Sequence, residues 1–330
     1  MNPWKDIAPY KTSEAANFKG RDEDIKKFSR ILQQNDFSVL YAESGIGKTS
    51  FINAGIIPAF ADSEYYFVRI EFPLEVLASK TVSQDVLIAN LEGWLCSKIF
   101  NEKIVESRLK SGLSTFTSLS DDAKLKNNLW WRLHAYEYIK DEKVVKPFII
   151  FDQFEEIFQK ASNEILKELF SILDSISGHI PPTNILKKLE EYEAQGIYIP
   201  LDNIIDFKVL FSMRKEYLAE FDYWTNDIFS NTQLLQSRMI LLPFTRSQAE
   251  EVITGQVVEG KIVDSLTDIK DDILKLFEER AQTTTVHNRD KHVYEAFLLS
   301  VVCSRLHSIA TNKQTAKLVK KILPILNSKS

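Results

Sequence analysis

Tyr41-Ala42-Glu43-Ser44-Gly45-Ile46-Gly47-Lys48-Thr49 is the stretch from which the rest of the chain is read. An apolar run, Phe37 to Tyr41, leads into it, and Ser50-Phe51-Ile52-Asn53-Ala54-Gly55-Ile56-Ile57 follows. A strand, a glycine-punctuated turn and a helix, in that order, form the setting of a phosphate-binding P-loop. The helix N-terminus presents unpaired backbone N–H groups and a partial positive charge to an anion. Gly45 and Gly47 let the backbone curl so that successive N–H groups converge on phosphate oxygens. Lys48 supplies a point charge to the terminal phosphates, and the Thr49 hydroxyl is placed for Mg2+. The candidate phosphate contacts are Ser44, Gly45, Ile46, Gly47, Lys48, Thr49 and Ser50. Ala42 stands where the pattern begins with Gly, at the outermost turn, where no close approach to phosphate is needed.

Working outward, Arg21-Asp22-Glu23-Asp24 leads into Ile25, Phe28, Ile31 and Leu32, spaced as a helix face with acids in its first turn. Residues 1 to 20 read as irregular. Phe37–Tyr41 is the first strand, and the P-loop helix runs to about Ala59. Tyr65–Ile70, aromatic and β-branched, is a second strand. Residues 83 to 140 read as helical with breaks, with one stripe of Val86, Leu87, Leu91, Trp94 and Leu95 and another of Leu129, Trp130, Leu133 and Tyr136. Trp130 and Trp131 lie in an apolar helical stretch and belong to a core rather than to a stacking platform for bases. Pro147–Asp152 is a wholly apolar strand ending in an acid, which suits a parallel strand covered on both faces. A long amphipathic helix follows, then a charged helix amid Gly and Pro at 178 to 205. Phe207–Ser212 and Arg238–Leu242 are the fourth and fifth strands. The segments 247 to 258, 268 to 281, 291 to 309 and 315 to 327 read as helices.

These elements predict the α/β class: a P-loop domain with a five-stranded parallel sheet flanked by helices, followed by an all-helical C-terminal domain. The expected division is an N-terminal segment 1–20, a P-loop domain 21–244 and a helical lid 245–330. The chain has 330 residues with 44% hydrophobic and 26% charged content, ordinary for a globular protein. A net charge of −5 gives no drive toward nucleic acid or an anionic membrane. Two cysteines far apart, Cys96 and Cys303, read as buried small hydrophobes in a reducing compartment. No apolar run approaches a membrane span and the first residues start no signal peptide, so the expected location is cytoplasmic.

A P-loop binds nucleotide; hydrolysis needs more. Asp152, at the end of its apolar strand, is the candidate for holding the water shell of Mg2+, the other reading being a helix N-cap. Asp152-Gln153-Phe154-Glu155-Glu156 offers Glu155, Glu156 and the Gln153 amide for activating water, with Glu155 read ahead of Glu156, or either glutamate serves the helix dipole instead. Gln153 stands where many ATPases with an additional strand place Glu. Arg214, at the end of the next strand, is the candidate γ-phosphate sensor, or a partner of Glu216 or Glu220. The catalytic set is thus Lys48, Asp152, Glu155, Glu156 and Arg214, with Thr49 and Asp152 toward Mg2+.

Together these pieces resemble a STAND NTPase of the bacterial "novel STAND" group, related to the AAA+ ATPases. Phe151-Asp152-Gln153-Phe154-Glu155-Glu156-Ile157-Phe158 is similar to that family's Walker B segment, and Ser44 to Pro58 to its long P-loop signature. Asn17-Phe18-Lys19-Gly20-Arg21-Asp22 resembles its Phe-Gly-Arg-Glu segment, which implies that Phe18, Gly20 and Arg21 lie near the adenine. Met213-Arg214-Lys215-Glu216-Tyr217-Leu218 resembles its sensor segment. Leu242-Pro243-Phe244 resembles its nucleotide-contacting proline turn, which implies a role for Pro243. The resemblance implies a signalling switch that binds ATP or ADP with Mg2+, hydrolyses slowly, oligomerises on activation and acts in bacterial signalling or antiphage defence. Its effector and sensor parts would lie elsewhere, on a longer polypeptide or on separate chains. Two other readings stand beside it: an AAA+-type motor or loader acting on nucleic acid or protein, and a nucleotide-binding scaffold without hydrolysis.

Overall fold

The computed structural model describes residues 2–6, 8–61, 63–73, 90–110, 113, 122–177, 181–196, 207–226, 234, 236–258, 261–283 and 294–310. The expected helix 315 to 327, the start of the expected helix 291 to 309, and Val86 and Leu87 of the first stripe lie outside the described residues. Contacts group the chain into two compact units.

One unit comprises residues 31–41 and 62–239 and holds the sheet. Its strands are β1 (Phe37–Ala42), β2 (Tyr65–Ile70), β3 (Glu106–Leu109), β4 (Tyr136–Lys140), β5 (Lys143–Phe151), β6 (Lys208–Arg214) and β7 (Arg238–Ile240), with the last residues of β1 and β7 falling in the other unit. The sheet is seven-stranded in the order β3-β4-β5-β6-β1-β7, with β2 paired to β5. The five predicted strands are present, and the wholly parallel sheet is corrected to a mixed one, because two antiparallel strands join it.

Those two arise within the stretch read as helical. Tyr136-Glu137-Tyr138-Ile139-Lys140 alternates buried and half-exposed residues, a period of two that suits a pleated strand. Asp141 and Glu142 both take left-handed φ (51° and 63°), which turns β4 back into β5 as a two-residue hairpin. Glu106–Leu109 then pairs antiparallel with β4. Upstream, helix α1 (Leu129–Ala135) does form, and the Asn128 side chain caps it by accepting from the Trp131 amide at 2.8 Å. Trp130 and Trp131 are buried core residues, as the sequence suggests.

β5 serves three neighbours in succession: β4 against Lys143–Val145, β2 in parallel from Lys146, and β6 in parallel from Phe148. The register aligns Ile70 and Phe211 with Phe151, so the pairings of β2 and β6 with β5 stop at one edge, and β6 runs on to Arg214. The sheet order sets β6 between β1 and β5. The additional-strand plan of P-loop ATPases is that insertion. Beneath this edge lies an aromatic core. The Phe154 ring meets Phe211 at 5.0 Å, Phe158 at 5.4 Å, Phe151 at 5.7 Å, Phe221 at 5.9 Å and Phe170 at 6.2 Å. Close aromatic pairs of this kind add to area burial and fix geometry.

The other unit comprises residues 1–30, 42–61 and 240–330. Its described elements include the P-loop helix α2, built of Lys48–Ser50, a wider-wound stretch Phe51–Ile56 and Ile57–Ala59, with the helices α3 (Arg246–Thr254), α4 (Lys270–Thr283) and α5 (Ala296–Ala310). A short antiparallel ladder, Val257–Val258 with Lys261–Ile262, interrupts the expected all-helical tail. A reciprocal cap starts α3: the Thr245 hydroxyl accepts from the Gln248 backbone N–H at 3.3 Å, and the Gln248 side-chain oxygen accepts from the Thr245 backbone N–H at 2.8 Å. The first twenty residues are less irregular than expected. Thr12–Asn17 forms a 3-10 helix, and Trp4 is buried among Phe244, Val252, Leu266 and Leu306 with its indole N–H donated to the Val252 carbonyl at 2.9 Å. Cys96 and Cys303 are both free and buried, and burial pushes both thiols up.

Candidate functional site

In the unit that carries the P-loop, the glycine roles are explicit. Gly45 and Gly47 adopt φ of 79° and 91°, the left-handed region that side chains resist, and Lys48 is the first helical residue after Gly47. Left-handed glycines at a helix start are a backbone conformation in which neighbouring N–H groups can converge on an anion. Ile46, between the glycines, is buried and anchors the loop. The Gly45 carbonyl accepts from the Phe297 amide at 3.3 Å, and a Cβ at Gly47 would lie 3.9 Å from the Ala296 Cβ. The first turn of α5 therefore rests on the P-loop. The Ser50 hydroxyl accepts from the Tyr10 amide at 3.1 Å, which occupies that side chain structurally. A Cβ at Gly55 would lie 2.9 Å from Ile25 and 3.4 Å from the Phe18 ring, so the Ala-Gly pair of the signature admits Phe18 against the P-loop helix.

Gly20, Arg21 and the proline turn also come together. Gly20 has φ of 77° and packs against the α3 backbone. The Arg21 guanidinium lies 4.0 Å from the Phe244 ring centre and donates to Asp24 at 2.8 Å. Burial lowers its proton affinity, opposed by the Asp24 carboxylate. The segment containing Gly20 and Arg21 is thus locked to the turn containing Pro243, two places that sequence alone connects only through a family resemblance.

In the sheet unit, the common edge of β2, β5 and β6 gathers the acids and bases. Asp152 follows β5 directly, with a side chain only 3% exposed and one carboxylate oxygen 2.6 Å from Arg69 Nη1. Its other oxygen accepts from the Gln153 amide at 3.0 Å. Asp152 is not the cap of the next helix, α6 (Glu155–Lys160), which begins three residues later. Gln153 holds φ of 55°, a conformation that costs a non-glycine residue about 1–2 kcal/mol. The kink lets the Phe154 amide reach the Ser212 carbonyl at 2.9 Å and sends its ring into the aromatic core.

The two glutamates part company at this point. The Glu155 side chain, 4% exposed, accepts from Arg214 Nε at 3.1 Å and from the Arg214 amide at 3.3 Å. The partner of Arg214 is therefore Glu155, across the β5–β6 edge, rather than Glu216 or Glu220. Glu156 instead lines a cleft of about 280 Å³ with Arg69, Glu71, Phe72, Asp152, Gln153 and Ile157. Sequence reasoning missed Arg69 and Glu71. The available signal was a lone cation near the end of the otherwise apolar run Tyr65–Ile70.

The residues fit Mg2+ as phosphoryl-transfer proteins use it. Asp152 is a buried carboxylate at a strand end, paired with Arg69, and a carboxylate oxygen is the donor type that Mg2+ takes. Among the described residues no three His, Cys, Asp or Glu side chains are grouped so that they could hold a metal by themselves, and Mg2+ needs no such cage when phosphates and one or two protein oxygens complete its shell.

A P-loop at the head of a helix, following a strand of a mostly parallel sheet with an additional strand beside it, defines a P-loop NTPase. The family model for Novel STAND NTPase 1 matches residues 3–274, and the chain belongs to that family. No curated protein sequence matches it. Among solved structures, it is similar to the Walker-type ATPase PABY2304 of Pyrococcus abyssi, at 13% identity over 100% of this chain and 80% of that one, TM-score 0.44. It is also similar to Cdc6p of Pyrobaculum aerophilum, at 12% identity over 83% and 64% of the two chains, TM-score 0.31. The Escherichia coli MS115-1 HORMA:CdnC:Trip13 complex gives 10% identity over 94% of each chain, TM-score 0.37. At such scores these structures add nothing to the fold argument, which rests on the sheet and the P-loop.

Proposed function

We propose that the chain is an ATP-binding, slowly hydrolysing switch of bacterial signalling or antiphage defence, cytoplasmic, which oligomerises when activated. Its partners in this reading are nucleotide and effector and sensor parts borne on other domains or chains; neither a membrane nor nucleic acid is among them. The observation that carries the switch reading is the first turn of α5 resting on Gly45 and Gly47. A loop so held changes its contacts when phosphate arrives, which couples nucleotide state to the C-terminal helices. In this reading Lys48 and the loop amides would bind the phosphates, and Thr49 and Asp152 would serve Mg2+, which when bound would supply positive charge for phosphoryl transfer. Glu156 is our assignment for orienting water, because Glu155 is buried on Arg214 while Glu156 faces the cleft with Asp152. The Glu155–Arg214 pair positions the guanidinium as the nucleotide sensor.

The test has two parts. Mass spectrometry of nucleotide released on denaturing the purified protein should find ADP or ATP. Calorimetric ATP binding should be lost in Lys48→Ala with the circular dichroism spectrum retained; an unchanged affinity would remove the site assignment.

A further inference from the structure

Arg69 has no place in the site as read from sequence, yet it makes a close charged contact to the residue on which that site depends. Its Nη1 lies 2.6 Å from Asp152 Oδ2, a charge-assisted hydrogen bond to a carboxylate that is 3% exposed. The placement is built into the sheet. Arg69 is paired in register with Ile150 on the adjacent parallel strand, so its side chain starts two residues short of Asp152 on the neighbouring ladder. The arginine is itself 26% exposed and opens onto the cleft that also contains Glu71 and Glu156. One end of the pair is therefore dry, and the other reaches a cleft that holds two more carboxylates.

We infer that Arg69 is a positioning residue, the resident counter-ion of Asp152. It holds the carboxylate in place and opposes a divalent cation there, thereby setting the metal concentration at which nucleotide binding becomes metal-coupled. The inference rests on the nucleotide reading above. A guanidinium beside a carboxylate stabilises its charged form and also repels a second cation. Leaving the carboxylate toward Glu71 and Glu156 would keep Arg69 compensated within the same cleft, so displacement needs no bare charge.

The experiment is ATP titration by calorimetry, in EDTA and across a MgCl2 series, for the parent and for Arg69→Met. ATP affinity in EDTA should stay within about threefold, and the Mg2+ concentration giving half the metal effect should fall roughly tenfold, the scale on which one adjacent charge biases a carboxylate. Arg69→Gln keeps an N–H donor on the carboxylate without the charge, and the same fall is expected should Arg69→Met not fold. Arg69→Lys should keep the parental Mg2+ dependence. A merely structural arginine would change melting temperature and leave the Mg2+ midpoint where it was. An unchanged or raised midpoint in a folded neutral variant overturns the inference, as does failure of both neutral variants to fold while Arg69→Lys folds. A parent that binds no ATP would instead remove the nucleotide reading itself.

Discussion

Gly20→Ala offers the most direct trial of how the unit carrying the P-loop is held together. Two separate costs are visible at this position. Its φ of 77° is one that an L side chain adopts at about 1–2 kcal/mol. The added Cβ would also lie 2.5 Å from the Gln248 carbonyl oxygen and 3.0 Å from Val252 Cγ2. That oxygen belongs to the backbone of α3 and cannot swing aside, so the segment must move, at an overpacking cost of about 1–3 kcal/mol. The sum is about 2–5 kcal/mol, and at about 2–4 °C per kcal/mol the melting temperature should drop by roughly 4–20 °C. Gly196 is the control. It has φ of 79° with nothing within 4 Å of an added Cβ, so Gly196→Ala carries the conformational cost without the clash. Scanning calorimetry of both variants separates the two terms. If Gly20→Ala loses no more than Gly196→Ala, the close approach of residue 20 to α3 contributes nothing and the argument fails.

Two further predictions concern the acids and the buried phenol. Glu156→Gln should bind ATP like the parent and lose hydrolysis by about 10²-fold or more in a phosphate-release assay, the scale of positioned acid–base groups. Glu155→Gln should chiefly lower stability and the response to nucleotide; if Glu155→Gln alone stops turnover with stability intact, the roles are exchanged. Burial raises the Tyr10 pKa from 10.0 to about 12, against hydrogen bonding that lowers it. The fold thus favours the neutral phenol, so its contribution is complete below pH 10 and disappears as pH rises to about 12. Tyr10→Phe should flatten the loss of stability over that window, as measured by urea unfolding at stepped pH; an unchanged slope would refute it.

Much of this architecture was legible because apolar runs ending in chemistry are hard to mistake. Phe37–Tyr41 and Pro147–Phe151 are continuous, and the residues that follow them are a P-loop and Asp152. β4 was hidden because Leu129–Ala135 is a true helix and Tyr136 fits both its period and that of the strand. The N-terminal segment was opaque for a different reason. Trp4 and Tyr10 are isolated apolar residues with no periodicity, and their burial is created by distant helices. The division of labour between Glu155 and Glu156 was likewise invisible, since the left-handed turn at Gln153 decides which carboxylate meets Arg214.

The P-loop falls in a unit assembled from three separate stretches of chain, the last beginning at Ile240. This has a consequence for synthesis. The sheet unit is nearly contiguous and can close as it emerges, whereas the core around Trp4 waits for Leu299, Val302 and Leu306. At about 5–20 residues per second, the loop spends roughly ten to fifty seconds outside the ribosome before its last neighbours exist. A nascent chain therefore carries the phosphate-binding sequence well before it has the enclosure that would let nucleotide matter.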